Sequence, residues 1–395
     1  MGDYTMKRNT KENVEMNSTT KEMKKYKMVK EKNMYRIIAL RDFGNVKKGD
    51  KGGLVYHNFN LSHDGECWIG YNATVRDQAM VFGNAIVQGD AFIYDNAQVF
   101  DEAVVEGDAI IRGKGIVRGN AVVRGNAIVE DTAVVRGHAD VYDNAKVSNE
   151  AVVRGFAKVY RYAEISGKAF IYGSAKIFDI AIVRGFAKVH GFAEISENAL
   201  IHGNAEVEGK AVVRGSARVE ENSRVYDNAI VEGDSNVCEY ARVHGYAIVR
   251  GNAQVRDEAI VRGNALICDN AIVCDEGILR DDATVYGNAR VRDEAIVRGN
   301  AVVRDDALAD GHSILEDNAL LESNARVLHG THNSKVQYIK GSDYTATVDG
   351  DYINIKNNSF TPDEWLMVID EWDMDSDKKA EYKGIILFLK NTYMV

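Results

Sequence analysis

The chain has 395 residues, with 35 glycines, one proline and a formal charge of -10. Acidic and basic residues are mixed along its length, so no basic stripe marks a nucleic-acid partner, and no apolar run approaches the ~20 residues that span a bilayer. Proline cannot donate to a β-ladder, so its near absence suits continuous ladders. The four cysteines lack C-x-x-C spacing, which excludes a dense disulfide framework and favours the cytoplasm.

Residues 1–33 are polar and rich in lysine (Lys21, Lys24, Lys25, Lys27, Lys30, Lys32), with Glu12, Glu15, Glu22 and Glu31 interspersed. This composition predicts a disordered or frayed tail without the apolar segment of a secretory leader. Residues 34–64 read as an N-terminal capping segment. They hold a strand-like run from Tyr35 to Leu40 and a glycine-rich turn from Lys48 to Leu54.

A six-residue repeat then runs from about 65 to 330, as in Gly83-Asn84-Ala85-Ile86-Val87-Gln88. Position one is mostly Gly or Asp, position three is small and nearly always Ala, and position five is Val, Ile or Leu. Side chains alternate along a strand, so positions three and five face the same way and point inward. Gly, Asp and Asn at positions one and two supply corner chemistry. Each hexad is thus a short strand plus a corner that buries its apolar face only by stacking. Three hexads close a triangular coil, so about 44 hexads predict an all-β solenoid of about 15 coils, roughly 70 Å long. The handedness of the solenoid does not follow from this period.

Residues 331–395 lose the repeat and predict a small α+β C-terminal cap. Val336 to Ile355 reads as two or three strands. A helix starts at Thr361, with Pro362 at its first position and Glu364 completing a capping box. A second helix covers roughly 377–392. Covering the unpaired β edge of a solenoid is the expected task of such a segment.

The hexads resemble the left-handed parallel β-helix of the hexapeptide-repeat acyltransferase superfamily. The flanks (Ala39 to Gly53, Asn60-Leu61-Ser62, Cys67-Trp68-Ile69) are similar to uncharacterised bacterial and prophage hexapeptide-repeat proteins, some of which carry a transferase label. The resemblance implies left-handed coils. Under an acyltransferase reading it also implies acetyl-CoA or another acyl-CoA as co-substrate, bound between subunits of an oligomer. Such enzymes place a catalytic histidine on a loop extruded from the solenoid, and here the register never slips to make one.

His63, beside Asp64, is the catalytic candidate, as a general base. His190 and His244 lie three coils apart in one column, about 14 Å, too far to share a metal. No metal or other cofactor is therefore expected. Outward position-four residues are more informative. One column reads Ile116, Val134, Val152, Phe170, then four charged residues, then Ile260, Ile278, Ile296, Ile314. It predicts two exposed apolar ladders, read either as β-propensity or as a contact surface. Phe156, Tyr162, Phe186 and Phe192 replace polar corner residues, as a ring cluster for a partner or as stacks between coils. The expected function is a non-catalytic scaffold or interaction protein that self-associates into a homo-oligomer and engages a protein partner. No nucleic-acid or membrane partner is expected, and the alternative is acyl transfer between subunits.

Overall fold

In the computed structural model, which describes residues 24–394, a two-residue strand recurs every six residues from Trp68–Ile69 to Arg326–Val327. Each strand pairs in parallel with the one 18 residues on, as Met80↔Gln98 and Gln98↔Ile116 do. Three hexads therefore make one coil of a parallel β-solenoid with three flat faces. We number these by their first rungs: face 1 from Trp68, face 2 from Thr74 and face 3 from Met80. Faces 1 and 3 are 15-stranded sheets, and face 2 is extended to 18 strands by the N-terminal cap.

The hydrogen bonds explain the repeat. Met80, Phe82 and Asn84 donate their N–H groups to the carbonyls of Ala97, Val99 and Asp101 in the next coil, and Ala79 closes the corner onto the Arg76 carbonyl. Position three lies against that corner, which leaves room only for a small side chain; Ala205 and its counterparts are fully buried. Where serine stands there, at Ser223, Ser235 and Ser313, its hydroxyl donates to the carbonyl three residues back, which satisfies a buried polar group. Position one takes positive φ, for example 69° at Gly191, where an added Cβ would lie 2.8 Å from the Gly209 backbone. Aspartate substitutes there for a second reason. Its carboxylate accepts the corner N–H of the next coil, as Asp101 does from Gly119 and Asp131 from Asn149.

The N–H groups of positions two, four and six point toward the next coil, while the position-four carbonyl also points that way and accepts from an N–H beyond it, as Leu320 does from Val336 at the last coil. The first coil thus presents chiefly carbonyls without donors, and the last coil chiefly N–H groups without acceptors. Strand β3 (Lys51–Val55) covers the first rung of face 2, and Leu61 bridges to Val81 on face 3. On face 1 the stopper is Lys25, fully buried, whose ammonium donates to the carbonyls of Asp64, Gly65 and Cys67 at 3.0–3.3 Å. Burial lowers its pKa. At the other end Asp349, also fully buried, accepts from the N–H groups of Leu328 and His329 and from the Asn354 side chain.

Lys25 belongs to the part of the chain expected as a tail, and here the expectation fails. Strand β1 (Tyr26–Glu31) pairs antiparallel with β2 (Met34–Ala39), and Tyr26 is buried with its hydroxyl donating to the Leu61 carbonyl. Lysine content misled because one lysine is a stopper and the alternation Tyr26, Met28 was overlooked. Residues 1–23 of the expected tail lie outside the described residues. At the C-terminal end the register shortens to 17, Ile314↔Thr331. The cap beyond holds three antiparallel strands in the expected stretch, Tyr338–Lys340, Thr345–Asp349 and Tyr352–Ile355, and a fourth after it, Asn358–Phe360. Helix α1 (Pro362–Val368) has the expected Thr361–Glu364 capping box, and helix α2 (Ser376–Tyr393) is capped by Asp375. Trp365, Ile369, Tyr382, Ile386 and Leu389 form a separate cap core against Ile353 and Ile355.

Candidate functional site

The outward side chains of face 3 follow from the hexad. Positions four and six point out on either side of the buried position five, and position two stands at the preceding corner. The expected ladders are in register: Ile116, Val134, Val152 and Phe170 on successive rungs, and Ile260, Ile278, Ile296 and Ile314 on later ones. All eight are half-buried rather than openly exposed, because each is hemmed in by neighbouring coils and by the longer side chains at positions two and six. Between the two stretches stand Lys188, Glu206, Arg224 and Arg242.

Two features escaped sequence reasoning. Face 1 carries a comparable ladder, Val212, Ile230, Ile248 and Leu266, so apolar content alone does not single out face 3. What distinguishes face 3 is its margins. Glu258, Glu276 and Glu294 line one side of the second ladder, and Arg262, Arg280 and Arg298 line the other. The signal was present as Glu-x-Ile-x-Arg recurring every 18 residues, and it becomes visible only when hexads are read three at a time.

The corner aromatics do not form one patch. Consecutive hexads lie on consecutive faces, so only residues separated by multiples of 18 share an edge. Phe156 and Phe192 stand two coils apart on one edge, Tyr162 on the second and Phe186 on the third. All four are more than half exposed, and none stacks on another. Phe156 stacks instead on His138, at 4.8 Å. Stacking between coils does occur at position six, where Tyr142, Tyr160 and Phe178 lie parallel at 4.8 and 5.0 Å.

His63 is part of the N-terminal closure. Its Nδ1 accepts from the Lys25 N–H at 3.2 Å, and its ring stacks on Tyr26 at 4.3 Å. That bond occupies the nitrogen lone pair that a base would use. Two groups of potential metal donors come together. On face 3, His190 Nε2 lies 3.2 Å from Glu206 and 3.4 Å from Glu208, but Arg224 already holds both carboxylates, at 3.2 and 2.9 Å. At the corner between faces 2 and 3, Cys274 lies near Asp257 and Asp275. Burial and then Asp275 push the Cys274 thiol up to about 12, so it is protonated at neutral pH and a poor ligand. All four cysteines are unpaired.

Between Trp68 and Val327 no loop leaves the solenoid. Among the described residues no helix is long and apolar enough to cross a membrane. Compared with family models and with curated proteins, the chain matches none.

Proposed function

We propose that this chain is a non-catalytic structural or protein-interaction scaffold that self-associates through an apolar face of its solenoid, in the cytoplasm. The observation that carries the reading is the in-register isoleucine ladder on face 3, where four consecutive rungs each present a half-buried apolar side chain. A contiguous apolar stripe on a rigid surface is the ordinary signature of a contact site. The unbroken register supports a scaffold because it extrudes no loop to carry catalytic groups. The engagement of His63 by the cap supports it too. The proposed kinship is with hexapeptide-repeat left-handed β-helices, used as a framework rather than as an enzyme.

Light scattering tests the reading directly: the mass in solution is expected to be a multiple of the 43.7 kDa chain. A monomer at every concentration would overturn it. Titration with acetyl-CoA in a calorimeter is expected to give no saturable heat. Saturable micromolar binding would instead support acyl transfer at a site between subunits.

A further inference from the structure

We propose that a second copy of this chain seats on face 3, parallel and in register, about a two-fold axis running along the solenoid. The proposal rests on the self-association reading above and names the partner and its pose.

The geometry follows from the hexad. Positions two and six lie two residues either side of position four. A two-fold along the position-four column leaves each isoleucine opposite its own counterpart and sets position six of one copy against position two of the other. On the second ladder that pairs Arg262 with Glu258, Arg280 with Glu276 and Arg298 with Glu294, each across the interface and each twice. One coil later position two is His312 and position six is Glu316, so a histidine faces a carboxylate across the axis. On the corresponding coils the other faces lack the pattern. Face 1 reads Asn264-x-Leu266-x-Cys268, and face 2 reads Asn270-x-Ile272-x-Cys274.

Within one chain these margins cannot neutralise each other, because four residues of extended strand hold them about 13 Å apart. Accordingly Arg262, Glu258 and Glu276 form no ion pair among the described residues, while Arg280 only reaches Asp281 at 4.0 Å, Arg298 leans on Glu316 and Glu294 contacts His312 one coil on at 3.1 Å. A partner turned end for end about Ile278 would set Arg262 against Arg298 and Glu258 against Glu294, so charge selects the parallel pose. Further along the same axis Lys188, Glu206 and Arg224 alternate in sign. Each of these three therefore meets an opposite charge one coil away, about 4.8 Å, whereas Arg242 stands between Arg224 and Ile260 without one.

Charge exchange tests this. The triple variant Glu258→Arg, Glu276→Arg, Glu294→Arg and its converse Arg262→Glu, Arg280→Glu, Arg298→Glu should each weaken self-association at least about tenfold in sedimentation equilibrium. An equimolar mixture of the two should associate again as a heterodimer, which misfolded variants would not do. Separately, Ile278→Cys should form a covalent dimer on mild oxidation, under conditions that leave the wild type uncrosslinked. If the wild type is a monomer, the self-association reading falls and this proposal with it. If the wild type associates but both triple variants do so equally well, or Ile278→Cys fails to crosslink, the face and pose proposed here are wrong and association through another face stands.

Discussion

Lys25 shows how much one side chain carries in a structure built from repeats. Its ammonium meets three carbonyls that the first coil leaves open, in a site with no access to solvent. Lys25→Met would fill the space yet orphan those acceptors, and each orphaned buried acceptor costs about 1–3 kcal/mol. The expected result is a lower urea midpoint and faster amide exchange in the first coil, with distant coils unchanged. Position three tests the core from the other side. Ala205 is fully buried against its corner, so Ala205→Leu is expected to destabilise by about 1–3 kcal/mol or more through overpacking. Ser223→Ala removes a hydroxyl set between the Glu220 carbonyl and the Val237 carbonyl of the next coil, but both carbonyls keep a backbone N–H donor, so it should fall within about 1 kcal/mol of neutral. Equilibrium denaturation of both variants checks the contrast.

At the level of elements, most of the architecture was legible because one short pattern is reused. Ala at position three and a branched residue at position five announced the interior, and Thr361-Pro362-Asp363-Glu364 announced α1. Legibility failed where a residue acts alone. Nothing in the local sequence separates Lys25, a buried stopper, from Lys27, which is exposed on the neighbouring strand. The aromatic corners failed for another reason: reading along the chain placed Phe156 beside Tyr162, whereas the coil sets them on different edges. The charged margins of face 3 were missed for the same reason. The junction between solenoid and C-terminal cap makes its own prediction. Hydrogen bonds from Lys335 and Arg304 hold Glu322 down to about 2. A carboxyl depressed in the folded state contributes stability above its unfolded value, near 4.5, and loses it as pH falls toward 2. Acid titration followed by tryptophan fluorescence of the cap should show a loosening in that window. Glu322→Gln should abolish the pH dependence there while lowering stability at neutral pH.

For the whole molecule the decisive property is that its ladder has a direction. Most inter-coil N–H groups, those of positions two, four and six, aim at the C-terminal end, so the two ends of the solenoid differ chemically: chiefly bare acceptors at the start, chiefly bare donors at the finish. The closures answer in kind, an ammonium from Lys25 at one end and a carboxylate from Asp349 at the other. Take both plugs away and what remains is a rod whose tail fits its own head. Residues 65–330 expressed alone should therefore grow into fibres by adding copies end on end, visible by negative-stain microscopy, whereas the full chain should not. In this molecule the caps set the length of a thread that would otherwise have no reason to stop.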